Sequence, residues 1–200
     1  MKEKFATSLY EELASCFAEL RFCVHQSLGL AVLLAYPDGR LLTEPSGLCP
    51  FCTLINLGAE GRARCAKARE ASVKAVAAAG REIVQTCYAG LMYLGMPLMI
   101  NGQTMAVILC GNVARQPLSA ERLTALAREL WLDPQELRSA GEKVPIWGED
   151  RLRAAVVPLQ KAMGMITHLL YTKQVLERKA NELGVLFEFG RAVSTSLEVG

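Results

Sequence analysis

Four of the seven cysteines follow the spacing Cys49-x2-Cys52-x12-Cys65-x21-Cys87. Thiolates are the ligands that zinc and iron–sulfur clusters select. Two of them separated by two residues can chelate one centre from a loop, with Cys65 and Cys87 closing it from the sides. A zinc ribbon normally repeats the C-x-x-C pair, and here the second pair is missing. Two other readings stay open beside the metal. Cysteine packs as a small hydrophobe, so these residues can simply line a buried pocket. Alternatively, Cys49-Pro50-Phe51-Cys52 is a dithiol that would become reactive if a helix N-terminus or a cation depressed one thiol. Arg62, Arg64 and Lys67 stand close in sequence to Cys65, not to Cys49. Two hairpin strands precede the dithiol, whereas a thioredoxin-type site follows the first strand of a βαβ unit, which argues against oxidoreductase catalysis.

The remaining polarisable residues carry less chemistry. Cys16 and Cys23 are seven apart on one helical stripe, and Cys110 sits in an apolar strand, so packing is expected of all three. His25 and His168 are the only histidines and form no metal-spaced pair. Met92, Met96, Met99 and Met105 cluster around one hairpin, where thioethers can fill a core or shape a pocket. There is no G-x-S-x-G, no glycine-rich phosphate loop and no carboxylate pair in the uncharged middle of the chain. The expectation is a protein that is not an enzyme.

The elements that must position these residues follow from composition and periodicity. The chain has 200 residues, of which 52% are hydrophobic and 21% charged. Its mean hydropathy is +0.22. That excludes a disordered chain and fits one domain with an appendage. A net charge of +2 gives no electrostatic grip on nucleic acid or anionic lipid. Charges in the first helix interrupt any signal-peptide core, so a cytoplasmic location is expected. The 32 residues from Ile83 to Ala114 carry no charge, which is span-like in length. Asn101-Gly102 divides them, however, and Asn-Gly suits the positive φ angles of a tight hairpin turn. Two buried strands, Leu91–Ile100 and Gln103–Cys110, are expected rather than a membrane span.

Apolar residues three and four apart over 5–28, including Phe5, Leu9, Leu13, Cys16 or Phe17, and Leu20, predict an amphipathic helix. Leu30–Tyr36 and Arg40–Thr43, joined by Pro37-Asp38-Gly39, read as a first hairpin. Arg62–Ala79 is an alanine-rich helix closed by Gly80, and Glu82–Thr86 a further strand. Ser119 caps a helix through Leu130, and Asp133 followed by Pro134 starts another. After Gly148, a seam through Leu159, Met163, Ile166, Leu169 or Leu170, Leu176, Leu183 and Phe187 predicts a helix over 149–189. Its length suggests that it leaves the globular body and pairs with a second copy. The fold class is α+β, with an antiparallel sheet of about five strands flanked by helices and a long C-terminal helix.

This order of elements resembles the PocR sensory domain, a PAS-like ligand-binding module of bacterial regulators and sensor kinases. The resemblance rests on Phe51-Cys52, Cys65 in the next helix, Cys87-Tyr88-Ala89-Gly90-Leu91, and Met96-Pro97-Leu98 before Asn101-Gly102. It continues in Leu130-Trp131-Leu132-Asp133-Pro134-Gln135-Glu136-Leu137 and Val144-Pro145-Ile146, and covers roughly residues 5–170. After the last strand the family often has Gly-Gln, whereas this chain has Cys110-Gly111-Asn112. The resemblance implies a small organic ligand such as a short-chain diol, in a pocket with Cys52, Cys65, Cys87, Tyr88, Gly90 and Met96 as liners. The alternative is a sensor whose iron–sulfur cluster or zinc is held by Cys49, Cys52, Cys65 and Cys87. Leu186-Phe187-Glu188-Phe189-Gly190 and the residues after them resemble the opening helix of a GAF domain. The expected organisation is a sensory domain over 1–148, a signalling helix or coiled coil over 149–189, and the start of a following domain over 190–200. The expected partners are a second copy of the chain, joined through the long helix, and an output domain of the same chain, such as a histidine kinase or cyclic-dinucleotide enzyme.

Overall fold

The computed structural model describes residues 2–197, and the side chains of 8–189 and 191. Helix α1 (Lys2–Leu28) leads into strand β1 (Ala31–Ala35), and the short α2 (Pro50–Ile55) is followed by α3 (Ala59–Ala79). Strands β2 (Ile83–Thr86), β3 (Met92–Ile100) and β4 (Gln103–Val113) come next, then α4 (Ala120–Leu130), α5 (Pro134–Glu142) and α6 (Glu149–Leu197). The sheet is antiparallel throughout, in the order β1-β4-β3-β2.

Period-two alternation sends the strand side chains to two different cores. Leu30, Val32, Leu34, Leu94, Met96, Leu98, Ala106 and Ile108 face a layer made by α1 and α6. Leu33, Ala35, Tyr93, Val107 and Leu109 face Val73 and Val76 of α3. With both faces covered, all five residues of β1 are buried. A third cluster joins α2, α4 and α5 through Phe51, Ile55, Leu123, Leu126, Leu130 and Leu137. In α1 the buried stripe runs through Leu9, Leu13 and Phe17. Cys16 is therefore only half-buried and Cys23 is exposed, a correction to the packing expected of both.

Local signals form where the sequence places them. Asn101 (φ 50°) and Gly102 (φ 78°) make the β3–β4 turn, Gly80 (φ 60°) closes α3, and the Ser119 and Asp133 side chains cap α4 and α5. The strand expected at Arg40–Thr43 is the exception, so the sheet has four strands among the described residues rather than about five. In place of a ladder, isolated bridges join Leu41 to Ala35 and, just beyond the segment, Ser46 to Val32. The Thr43 hydroxyl accepts from the Leu34 N–H (3.1 Å), and the Leu42 and Thr43 N–H groups both donate to the Leu34 carbonyl. A side chain and a shared acceptor thus replace the alternating bonds of a regular ladder.

Helix α6 has 49 residues and runs roughly 70 Å. Leu152, Val156, Leu159 and Met163 bind its first half to the sheet, and Arg153 pairs with Glu149 and with Glu82 beside β2. Every described residue from Leu176 to Phe189 is exposed. The resemblance drawn for the last residues ends, at 198–200, outside the described residues. Among the described residues no helix is long and apolar enough to cross a membrane.

Candidate functional site

A cavity of about 80 Å³ lies on the α3 side of the sheet, under the loop that carries Pro45 and Leu48. Leu33 and Leu109 form part of its floor, Cys65, Ala68 and Arg69 of α3 part of its wall, and Cys52 and Asn56 close one end. Cys87 and Tyr88 come from the turn after β2. Two glycines make this geometry accessible. Gly47 (φ +74°) passes so close to His25 that a Cβ would stand 2.5 Å from Nδ1, and Gly61 lets α3 approach the Ile55 carbonyl, which a Cβ would meet at 1.9 Å.

Of the residues expected as liners, the structure brings Cys52, Cys65, Cys87 and Tyr88 to this cavity. The Cys65 thiol and Tyr88 hydroxyl lie 3.5 Å apart, and Tyr88 also donates to the Gly61 carbonyl (3.3 Å). Gly90 and Met96 fall elsewhere. Gly90 (φ 90°) closes the turn, with its N–H on the Cys87 carbonyl at 2.9 Å. Met96 is 0% exposed on the opposite face of the sheet, in the α1–α6 core. Parity is the reason: Tyr93 points towards α3, so Met96, three residues on, points away.

Several liners have no signal in a motif. Between Tyr93 and Met92 the β3–β4 register slips, Tyr93 pairing with Gly111 and Met92 with Val113, so Asn112 is the extra residue of a bulge. Its φ of 71° turns the side chain back, and Nδ2 donates to Cys52 Sγ at 3.4 Å. Asn56 Nδ2 donates to the Cys52 carbonyl (2.7 Å) and reaches Cys65 Sγ at 3.6 Å. Tyr93 shares its hydroxyl with Ser72 and Gln85. Arg69 also lines the cavity. Its helical context of Lys, Arg and Glu reads as a solvated face, yet its Nε is buried.

The thiols differ in chemistry. A hydrogen bond from the Cys52 thiol holds the Cys49 thiol down at about 6, and N–H groups at the start of α2 add to this against the opposing effect of burial. Cys52 is pushed up, chiefly because Cys49 accepts its proton and also because it is buried. Burial raises Cys87 and takes Cys110 up to about 12. Tyr88 is raised by burial and by its contact with Cys65. The Cys49 thiol is thus lowered beside Cys52 and Cys87 thiols that are raised. Cys49, Cys52, Cys65 and Cys87 all pack on the α2–α4–α5 cluster. Among the described residues, though, no group of three or more His, Cys, Asp or Glu is placed to hold a metal ion.

A helix-flanked antiparallel sheet with a small cavity against one face and a long helix leading away defines an α+β module with a sensor's architecture. Residues 16–171 match the family described as the sensory domain found in PocR, and the chain belongs to that family. The regulatory protein PocR of Salmonella typhimurium is 27% identical over 131 residues, which are 65% of this chain and 43% of that protein. The match thus spans less than half of the relative's length. No solved structure matches the chain. Both names point to a sensory role in a regulatory protein rather than to catalysis.

Proposed function

We propose that this chain is the ligand-sensing part of a regulatory protein, that a small organic molecule occupies the cavity between the sheet and α3, and that α6 carries the signal to an output domain. The observation that carries this reading is the cavity itself, lined mostly by apolar groups with a few polar ones among them. Its size limits the ligand. At about 80 Å³ it is near half of the roughly 150 Å³ that accommodates benzene. The ligand favours one packing of α6 to the extent that it binds one state more tightly than the other. The exposed Leu169, Leu176 and Leu183 are seven apart, so a second copy of α6 is the partner of that half of the helix.

Ala68→Leu tests the cavity, because the three carbons it adds on α3 are of the size this small volume admits. Calorimetric titration with 1,2-propanediol and with sodium lactate is expected to show binding to the native chain. The filled variant, with an unchanged circular dichroism spectrum, is expected to bind neither. Equal affinity in both proteins would place the ligand elsewhere.

A second reading, a zinc or iron–sulfur sensor on Cys49, Cys52, Cys65 and Cys87, rests on Cys52, Cys65 and Cys87 lining one cavity and requires the four thiols to draw closer than they stand here. Elemental analysis on anaerobically purified protein separates the two. Stoichiometric iron or zinc that is lost in Cys52→Ser or Cys87→Ser supports the metal, and metal-free protein whose ligand affinity falls in those variants supports the pocket.

A further inference from the structure

Among the described residues, Arg69 is the one charged side chain lining the cavity, and no Asp or Glu lines it. Its Nε is shielded from solvent and has no hydrogen-bond partner. The nearest acids in sequence are committed elsewhere, Glu70 to Lys74 (2.5 Å) and Glu60 to Arg64 (2.7 Å). Arg69 as a whole is half-buried, so what the cavity side leaves without a partner is the Nε–H of the guanidinium, not the entire group.

The other polar liners do not supply the missing acceptor. Tyr88 and Tyr93 spend their hydroxyls on protein groups, and Asn56 donates to the Cys52 carbonyl. Asn112 has only a sulfur for its Nδ2, a weak acceptor at 3.4 Å that an oxygen can replace. Cys52 and Cys87 are held as neutral thiols and bring no negative charge. The cavity therefore presents an unmet cationic donor and a weakly held amide above an apolar floor of Leu33 and Leu109.

Resting on the reading that this cavity is the ligand site, we propose that its ligand is a short-chain carboxylate, one oxygen accepting from Arg69 Nε and the alkyl part lying against Leu33 and Leu109. The volume restricts the chain to about two to four carbons. A carboxylate is preferred to a neutral molecule of the same shape, because a charge-assisted bond from the shielded Nε–H is stronger than one to a neutral oxygen.

The test is calorimetric titration of the full chain with sodium propionate and sodium lactate, against propionamide and 1,2-propanediol, at matched ionic strength. The carboxylates are expected to bind more tightly than the neutral probes, and Arg69→Gln to weaken them by roughly ten- to a hundredfold while leaving the neutral probes unchanged. Should Arg69→Gln not fold, the Arg69 Nε–H resonance of the native protein serves instead, and propionate is expected to shift it. Neutral probes binding as tightly as the carboxylates, or carboxylate affinity indifferent to Arg69→Gln, would overturn the carboxylate and leave the cavity as the ligand site. If none of the four probes binds, the carboxylate fails, and xenon pressurisation decides the cavity. Shifts of the Leu33 and Leu109 methyl resonances under xenon keep the cavity reading, and their absence ends it as well.

Discussion

Cys49 is the residue whose chemistry departs furthest from its type in a way that can be read directly. Because its thiol is held at about 6, it is a thiolate at neutral pH. Alkylation by iodoacetamide, followed on the Cys49 peptide by mass spectrometry, is expected to show a rate midpoint near pH 6. In Cys52→Ala, which removes the donor, the midpoint moves up towards the ordinary value of about 8.5. The linkage has a definite sign. A folded-state value below the unfolded one favours the native state as pH rises, so the contribution is complete above about 8.5 and is lost as pH falls through 6. The urea midpoint of the native chain is thus expected to rise more between pH 6 and 8 than that of Cys49→Ser. At this scale part of the thiol neighbourhood was legible, since Cys52, Cys65 and Cys87 line one cavity, while Cys49 is not among its liners. Arg69 and Asn112 were not. An arginine in a helix of alternating charges looks solvated, and Asn112 owes its direction to a bulge set by pairing with β3.

Elements formed where local chemistry decides them and departed where long-range pairing does. The caps at Ser119, Asp133 and Gly80 and the Asn101-Gly102 turn each depend on residues within a few positions, and each stands as read. The missing strand at Arg40–Thr43 depends on what β1 offers across the gap, which is one shared carbonyl and a threonine hydroxyl. Met96 shows the same limit, because its face follows from which side of β3 meets α3. The α2–α3 junction gives the sharpest prediction at this scale. A methyl group at position 61 would stand 1.9 Å from the Ile55 carbonyl oxygen, so Gly61→Ala must push α2 away from α3 and Cys52 away from Cys65. A loss of about 1–3 kcal/mol in chemical unfolding is expected. Unchanged stability would mean that the two helices are not in tight contact.

The whole molecule joins a buried sensor body to a helix that emerges from it. Among the described residues, Lys173 pairs with Glu12 (2.9 Å) and Gln174 meets Ser8 (3.3 Å), tying α6 to α1 just before the exposed stretch. The apolar side chains beyond that point, Leu176 and Leu183 among them, are expected to pack against a second copy. Leu176→Asp combined with Leu183→Asp should give a monomer by analytical ultracentrifugation and leave ligand affinity unchanged; a native chain that sediments as a monomer at every concentration would contradict pairing through α6. The ligand cavity is the central claim, and a methyl NMR map tests it most directly. With saturating lactate or 1,2-propanediol, shifts are expected at Leu33, Leu48 and Leu109, which line the cavity. Leu123 and Val144, which line the separate recess between α4 and α5, should stay still. Shifts confined to Leu123 and Val144 would contradict the account.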